Sequence, residues 1–334
     1  MKKEIIKQNV GIDIAKGDFK VNYSVLTQNL DVVVKGSKTL KNDRKGFEEL
    51  ASWLSAKLVP ALDVHFTMEA TGVYYEGLAY FLQERGHSVH VVLPNQAKNY
   101  GQSLGIEIKT DKIDAKILAR MGLERKLRNW EPFSTVFREL KQLGRERDAL
   151  IQARTAALNQ QHAYTHQGKP VATSLGRIQE VVEFLSERIA EIEQEIKSTV
   201  NSDAALAKRL GYVMSIKGVG LITAVCIVSE TNGFAAIHSI KQLTSYAGLD
   251  IKIRESGKWK GKAKISKKGN KFIRKALYFP TFSKIQHDEA TKKKYQRLRD
   301  KKGIPMVAAV AQQRKLLGLI YTLWNKQENF SSVV

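Results

Sequence analysis

Apolar and polar residues recur in short regular patterns along the first third of the chain, and these patterns predict an α/β domain. Short apolar or alternating runs predict strands at 9–14, 19–26, 31–34, 64–68 and 88–93. Helical spacing of apolar residues predicts helices at 44–58, 73–85 and 111–123. Three strands in succession, followed by helix, strand, helix, strand and helix, match the order of a ribonuclease-H-like fold. Other α/β arrangements fit the same pattern.

The middle of the chain is predicted to form a long helical hairpin. Trp130-Glu131-Pro132-Phe133 interrupts the α/β pattern. Beyond it, apolar residues keep the heptad spacing of a coiled coil at Ile178, Val182, Leu185, Ile189, Ile192 and Ile196, and 136–161 carries a weaker version. Gly168, Lys169 and Pro170 separate the two segments. We therefore expect an antiparallel pair of helices that packs on itself or against another protomer.

The last part of the chain is predicted to be a second, mostly helical domain. Helices are expected at 243–249, 272–279 and 305–324, and an exposed hairpin or loop at 251–265. Lys217-Gly218-Val219-Gly220 lies between two helical stretches. It resembles a helix-hairpin-helix element, whose glycine amides can approach a phosphate, or else is an ordinary turn. The predicted division is an α/β domain at 1–129, a coiled-coil hairpin at 130–203 and a C-terminal domain at 204–334.

Charge narrows the possible partners. The 334 residues include 55 Lys and Arg against 33 Asp and Glu, a formal net charge of +22. Residues 251–302 alone hold 19 basic and 4 acidic side chains, so most of the excess lies in one stretch. Nucleic acid is the first candidate partner, and an anionic membrane surface is the second.

Several protein classes are excluded by what the chain lacks. Cys226 is the one cysteine, so neither a disulfide framework nor a cysteine-based zinc site is possible. The first residues carry no apolar signal-peptide region. No apolar run approaches the roughly 20 residues that a membrane helix needs. We expect a soluble, intracellular protein without a membrane partner.

Four carboxylates stand out by position. Asp13 lies among apolar strand residues, and Glu69 ends a predicted strand. Asp111 and Asp114 are three residues apart, which places both on one side of a helix. Asp111 taken alone is equally explained as a first-turn acid that the helix dipole favours. Four converging acids would need a cation, and oxygen ligands without Cys or His favour Mg²⁺ or Mn²⁺. Such a site implies phosphoryl transfer, as in a metal-dependent nuclease or phosphotransferase.

A second candidate site lies in the basic stretch. Ser256 stands between Glu255 and Gly257, with lysines around it that could neutralise a phosphate. Most serines in such loops belong to turns, and Ser266 is an equal rival as nucleophile. The basic residues predicted to contact nucleic acid are Lys217, Arg254, Lys258, Lys260, Lys262, Lys267, Lys268 and Arg274.

Five motifs in order along nearly the whole chain resemble the DEDD transposases of insertion-sequence family 110. They are Gly11-Ile12-Asp13-Ile14-Ala15-Lys16, Glu69-Ala70-Thr71-Gly72, Thr110-Asp111-Lys112-Ile113-Asp114-Ala115, Ser245-Tyr246-Ala247-Gly248-Leu249, and Glu255-Ser256-Gly257 with Ile265-Ser266-Lys267-Lys268-Gly269. Each motif alone is modest, but five in register are highly specific.

The resemblance implies that the two ends of the chain have different roles in catalysis. A RuvC-like N-terminal domain would bind divalent metal through Asp13, Glu69, Asp111 and Asp114, and a coiled-coil linker would follow. The C-terminal transposase domain would supply Ser256 as a nucleophile that forms a phosphoserine link with DNA, and Ser266 would then have a structural or phosphate-contact role. Family members pair the acids of one protomer with the serine of another, as homodimers and homotetramers on DNA.

The resemblance also implies the partners. These are donor and target DNA and, in some members, a structured bridge RNA that guides the reaction in a prokaryotic cytoplasm, at the nucleoid. Two alternatives remain at this point. A metal-only nuclease, such as a junction resolvase, would use water as nucleophile. A non-catalytic nucleic-acid-binding protein would be indifferent to loss of the acids.

Overall fold

The computed structural model describes residues 4–70, 72–105, 110–252, 255–256, 259–260 and 264–331. The chain divides into two compact units, Met1–Pro132 and Phe133–Val334. The second unit contains both the long helices and the C-terminal helices. The predicted separation of 130–203 from 204–334 stays a prediction. No helix in the described ranges is long and apolar enough to cross a membrane.

A five-stranded mixed sheet forms the centre of the first unit. Its strands are β1 (Ile5–Ile14), β2 (Asp18–Thr27), β3 (Val32–Lys41), β4 (Val64–Glu69) and β5 (Ser88–Val92). Their order in the sheet is β3-β2-β1-β4-β5. The first three strands pair antiparallel, and β4 and β5 continue the sheet parallel to β1. This strand order, with three antiparallel strands followed by two parallel ones, confirms the ribonuclease-H-like order that the sequence predicts.

Four helices accompany this sheet, namely α1 (Arg44–Ser55), α2 (Glu76–Gln83), α3 (Pro94–Ser103) and α4 (Asp111–Glu124). Leu50 and Leu54 of α1 and Phe81 of α2 join the core that the strand residues form on one face. Helix α4 contacts β1, β2 and β4. Helix α3 was not predicted, because Pro94 was interpreted as the end of a strand although proline also favours the first turn of a helix.

The second unit begins with the predicted pair of long helices. They are α5 (Thr135–Thr165) and α6 (Ala172–Asn201), which contact one another along their length. The heptad residues of α6 are buried at Val182, Ile189, Ile192 and Ile196. Ile178, nearer the connection between the helices, is only half-buried.

Shorter helices complete the second unit. They are α7 (Ala204–Met214), α8 (Leu221–Glu230), α9 (Ile240–Tyr246), α10 (Lys271–Ala276), α11 (Tyr278–His287), α12 (Glu289–Lys302) and α13 (Pro305–Lys326). They enclose a core centred on the fully buried Trp324, whose indole N–H donates to the Gly233 carbonyl at 3.0 Å. Between α9 and α10, the residues that the structure describes include the short strands β6 (Ile251–Lys252), β7 (Glu255–Ser256), β8 (Trp259–Lys260) and β9 (Lys264–Ile265).

Candidate active site

Asp13 and Glu69 lie side by side at one edge of the sheet. Strands β1 and β4 run parallel, with Ile12 opposite Met68, and each carboxylate directly follows its member of this pair. The carboxyl ends of adjacent parallel strands meet at the same edge. Apolar residues hold both strands in the core, and the two acids are half-buried where the strands end.

Helix α4 brings the other two acids to the same place. Thr110 caps the helix by accepting a hydrogen bond from the Ile113 amide, and Asp111 and Asp114 occupy the first turn. Lys20, the cross-strand partner of Asp13 on β2, forms an ion pair with Asp111. This ion pair raises the pKa of Lys20. The N-terminus of α4 is therefore fixed beside the end of β1.

Close contact between α4 and β1 depends on glycine on both elements. A Cβ on Gly11 of β1 would overlap the Ala115 carbonyl oxygen and the Ala119 nitrogen of α4. A Cβ on Gly122 of α4 would overlap the side chains of Asn9 and Thr67. Neither glycine has positive φ, so the space between the elements, rather than backbone conformation, requires them. The backbones approach so closely that α4 has little freedom to move over the sheet.

Polar side chains on β1 also hold α4. The buried Asn9 amide donates to the Ala119 carbonyl at 2.8 Å, and Thr67 donates to Asn9 at 3.2 Å. Lys7 donates to the carbonyls of Gly122 and Leu123, at 2.7 and 3.0 Å, where the helix ends. A cation at the C-terminus of a helix also interacts favourably with its dipole. Sequence reasoning missed these contacts, and a polar Asn9 inside an apolar strand was the one signal for them.

We refer to Asp13, Glu69, Asp111 and Asp114 as the carboxylate cluster. Burial, followed by repulsion from Asp114, Asp111 and Glu69 in that order, raises the pKa of Asp13 to about 6. Each of the other three acids therefore acts on Asp13 through space. The structure thus brings together all four acids that the sequence singled out.

The chemistry of the cluster fits a divalent cation. Carboxylate oxygens are the donors that Mg²⁺ and Mn²⁺ favour, and a cation would relieve the repulsion around Asp13. Within the described part of the chain, no three acidic, His or Cys side chains are arranged at ligand geometry. The Lys20 ammonium already contacts Asp111. Binding of a cation would therefore require these carboxylates to change their side-chain conformations.

Ser256 lies in the second unit, at the end of a very short strand. Strand β7 pairs with β8, with Ser256 opposite Trp259, and Ser256 is exposed. We refer to residues 250–270 as the serine loop. Of the basic residues predicted there, Arg254, Lys258 and Lys262 lie outside the described residues, and Lys260 is described by its backbone in β8 alone.

The stem of the serine loop is fixed by hydrogen bonds on both sides. Strands β6 and β9 pair at Ile251 and Ile265, and the Ser266 hydroxyl donates to Asp250 at 2.5 Å. The Lys267 amide donates to the Gly248 carbonyl at 3.0 Å. Gly248 has a φ of +67° and contacts Gly269 so closely that a Cβ on either residue would clash. These contacts give Ser266 a structural role at the stem.

A hydrogen-bond network around Glu230 anchors the stem to the helices. The Asn270 amide donates to Glu230 at 2.7 Å, while its carbonyl oxygen caps α10. Glu230 is buried and accepts two hydrogen bonds from Arg145 of α5, at 2.7 and 2.9 Å. The Tyr246 hydroxyl donates to the Glu230 carbonyl at 2.8 Å. Sequence reasoning missed this network, because its members are distant in the chain and fit no motif spacing.

The other residues predicted to bind nucleic acid differ in their surroundings. Lys217, Lys267 and Lys268 are exposed. The Arg274 guanidinium instead donates to the carbonyls of Ala247, Gly269 and Asn270, at 2.8 to 3.2 Å, so it holds the stem together. Residues 217–220 form a tight connection between α7 and α8, in which Gly218 has a φ of +92°.

Two models of protein families match the chain. A model for DEDD transposases matches residues 10–170, and a model described as transposase IS116/IS110/IS902 family matches residues 210–296. The first match contains the carboxylate cluster and the second contains the serine loop.

Two relatives illustrate the similarity. A pilin gene-inverting protein of Moraxella lacunata is 29% identical over 97% of this chain and 98% of its own. The transposase for insertion sequence element IS1328 of Yersinia enterocolitica is 25% identical over 80% of this chain and 81% of its own. Among solved structures, Thermus thermophilus RuvC in complex with a Holliday junction substrate covers 34% of this chain and 90% of its own, with 12% identity and a TM-score of 0.26.

Proposed function

This chain belongs to the IS110 family of DEDD transposases and is a DNA transposase, and from that premise we propose how its two sites share the reaction. Ser256 attacks a DNA phosphate as nucleophile, and the carboxylate cluster holds the divalent cation that the reaction requires. The observation that carries the proposal is the convergence of four acids from β1, β4 and α4 on one edge of the sheet.

The carboxylate cluster has the composition expected of a phosphoryl-transfer site. Asp13 and Glu69 stand on strands whose positions the core fixes, while Asp111 and Asp114 stand on a helix clamped to β1. A divalent cation bound there supplies positive charge to the scissile phosphate and its leaving oxygen. Lys20 keeps Asp111 oriented and adds a second positive charge at the same edge.

The serine step conserves phosphodiester bonds. The Ser256 oxygen bonds to phosphorus, and the bond from phosphorus to one deoxyribose oxygen breaks. The serine hydroxyl loses one proton, and the departing deoxyribose oxygen gains one. In the second step the free hydroxyl of a partner strand attacks the phosphoserine, forms the new DNA bond and releases Ser256. Strands are thus exchanged without hydrolysis, which suits both transposition and the gene inversion for which one relative is named.

We propose that the active protein is a homodimer or a homotetramer. The resemblance to the family implies that the acids of one protomer act with the serine of another. The distal part of the helical hairpin supports assembly, because Phe184 and Val181 of α6 are 57% and 49% exposed. These two side chains lie three residues apart on one helix, so both are available to a partner protomer.

We also propose that a structured RNA guides the choice of donor and target DNA. The support is the resemblance to the family and the basic stretch 251–302, whose charge suits RNA and DNA equally. Sequencing the RNA that purifies with the protein, expressed with its native flanking DNA, tests this part. One abundant RNA with loops matching both DNA ends would support guidance, and heterogeneous RNA alone would contradict it.

The serine role is tested by trapping the covalent intermediate. DNA that carries the element ends is incubated with the full-length protein and Mg²⁺ or Mn²⁺, and protein–DNA adducts are resolved by denaturing electrophoresis. We expect Ser256→Ala to abolish adducts and strand exchange while DNA binding is retained. EDTA should abolish them in the unchanged protein. The control, Ser266→Ala, should form adducts, because its hydroxyl is committed to Asp250.

Two outcomes would contradict the proposal. Cleaved, hydrolysed ends without any adduct would identify a metal-only nuclease that uses water. Strand exchange by Ser256→Ala would exclude Ser256 as the nucleophile. If Ser266→Ala lost the adducts while Ser256→Ala kept them, Ser266 would be the nucleophile instead.

A further inference from the structure

A cavity of about 430 Å³ lies in the second unit, lined by parts of α11, α12 and α13. None of its lining residues belongs to the carboxylate cluster or to the serine loop. Its volume falls within the range of about 300–1,000 Å³ typical of small-molecule sites. The cavity is therefore large enough for a single nucleotide.

The cavity wall contains polar groups that the protein does not satisfy. Thr281 of α11 is 1% exposed and Gln312 of α13 is 4% exposed. The Thr281 hydroxyl and the Gln312 amide nitrogen make no hydrogen bond to any described residue. Buried polar groups are normally paired, since an unpaired one costs about 1–3 kcal/mol in proteins. Both residues line the cavity, but the two unpaired atoms lie just below its solvent-accessible surface, so a base edge reaches them once the side chains turn toward it.

Lysines outnumber acids around the cavity, whose two acidic lining residues, Asp288 and Glu289, pair with Lys284 and Lys292. Lys217, Lys294 and Lys315 line it, are exposed, and form no ion pair with any residue the structure describes. Lys284 is already engaged, because it pairs with Asp288 at 3.2 Å. The three remaining ammonium groups suit a phosphate at the mouth of the cavity.

The rest of the wall is apolar or aromatic. Leu316, Leu319 and the half-buried Phe330 line it. The Phe330 amide donates to the Ser215 hydroxyl at 2.7 Å, which ties this part of the tail to the end of α7. Lys284 lies over the Phe330 ring, 4.7 Å from its centre. Aromatic and aliphatic surfaces of this kind favour the flat face of a base over a free inorganic anion.

The cavity is next to the tight connection at 217–220. A Cβ on Gly218 would meet the Ser283 side chain of α11, so this connection packs directly on the helix that lines the cavity. Lys217 belongs to both features. A nucleic-acid backbone that lies along the connection would pass the mouth of the cavity.

We propose that this cavity binds one unstacked nucleotide of the DNA substrate. The base lies between Phe330 and the leucines, with its edge toward Gln312 and Thr281, and the phosphate lies among Lys217, Lys294 and Lys315. The assignment goes beyond the proposed chemistry and does not depend on Ser256 or on a cation. All tests are therefore made in EDTA, where binding is read without cleavage, so failure of either proposal is recognised separately.

The position of the nucleotide is tested by cross-linking. The full-length protein is irradiated with single-stranded DNA that carries one 5-iododeoxyuridine, and the linked peptide is identified by mass spectrometry. We expect a cross-link at Phe330 or at His287, which also lines the cavity. Cross-links confined to residues outside the cavity would overturn the assignment.

Affinity is tested by fluorescence anisotropy of the same oligonucleotide without iodine. Gln312→Leu should weaken single-strand binding about tenfold and change duplex binding by less than about twofold. Its thermal midpoint should not fall, because the substitution removes an unpaired amide. Lys294→Gln should lower the salt dependence of single-strand binding by about 0.7 in log–log slope. Lys293→Gln is the matched control, because Lys293 is exposed on the same helix and does not line the cavity.

Unchanged single-strand affinity in Gln312→Leu would contradict the proposal. Equal effects of Lys294→Gln and Lys293→Gln would also do so, since they would indicate general charge attraction. An RNA of the same sequence that binds through Gln312 while the DNA does not would overturn the assignment to DNA.

Discussion

The carboxylate cluster stands on β1, β4 and α4, elements of 10, 6 and 14 residues, whereas Ser256 stands on the short strand β7. The acids are half-buried or lie on a helix fixed to the sheet by glycine contacts and by Asn9 and Lys7. Ser256 is exposed, and its loop is fixed at the stem by Asp250, Asn270 and Glu230. The two candidate sites thus differ in the elements that carry them and in their exposure.

The difference suits their proposed tasks. A set of repelling carboxylates must be held in place by the rest of the fold, because its own electrostatics disperse it. A nucleophile that attacks first one DNA strand and then releases another must be accessible to both. The core therefore positions the acids, whereas Ser256 is exposed on a loop whose stem is fixed by hydrogen bonds.

The strongest test of this comparison is to separate α4 from the sheet. Gly11→Ala places a methyl group against the backbone of Ala115 and Ala119, so the helix must move away. We expect the free energy of unfolding of the first unit to fall by at least about 3 kcal/mol, as for severe overpacking against backbone. Urea unfolding monitored by circular dichroism measures the change.

The matched control is Gly17→Ala, because a Cβ on Gly17 meets nothing within 4 Å. It should change stability by less than about 0.5 kcal/mol. If Gly11→Ala were as harmless as Gly17→Ala, the view that close backbone contact fixes α4 and its two acids would be wrong.

The serine stem provides an intermediate test. Glu230→Ala removes the acceptor of Arg145 and of Asn270, but Arg145 is partly exposed and can be rehydrated. We expect the free energy of unfolding of the second unit to fall by about 2 kcal/mol. Amide hydrogen exchange should be faster at Phe272 and Ile273, whose amides Asn270 caps. Hydrogen exchange followed by mass spectrometry measures the local effect.

Glu193→Ala is the control for that test. Glu193 pairs with Arg147, which lies on α5 as Arg145 does, but Glu193 is far more exposed than Glu230. This variant should lower the free energy of unfolding by less than about 1 kcal/mol and leave amide hydrogen exchange near residue 270 unchanged. Equal exchange in the two variants would show that Glu230 does not anchor the serine loop.

Elements with a clear apolar period were predicted correctly, since burial of one face determines both their sequence and their structure. Strand β3 was predicted only at 31–34 but extends over Val32–Lys41. Its second half is mostly polar, because β3 lies at the edge of the sheet. Helix α12 was not predicted, because it is highly charged and buries Thr291 alone among its described residues.

For the candidate site, position and spacing singled out the four acids as candidates, and the resemblance to the family favoured Ser256 over Ser266. None of these signals identified Lys20, Asn9 or Glu230. The positions of these three depend on strand register and on contacts between residues 16 to 110 positions apart in the chain. Such pairings form only after the sheet and the helices have packed, so a local pattern in the sequence carries little trace of them.

The smallest predicted effect concerns Asp13, whose pKa burial and its acidic neighbours raise to about 6. In the unfolded chain this carboxyl ionises near its usual value of about 3.9. Folding therefore favours the protonated form, and the metal-free protein loses stability as the pH rises from about 4 to 6. Asp13→Asn removes the cost of ionising this carboxyl in the folded protein. At pH 7 and in EDTA it should therefore stabilise the first unit by about 1 kcal/mol. The expected gain is this small because Asp13 is only half-buried. The gain should disappear near pH 4.

Urea unfolding of both proteins across this pH range measures the difference, and exposed Asp63, which directly precedes β4, supplies the control Asp63→Asn. Added Mg²⁺ should reverse the order of stability, because only the unchanged protein keeps all four carboxylates to bind the cation. A stability difference that is independent of pH and of Mg²⁺ would mean that the four acids do not act on one another as a group.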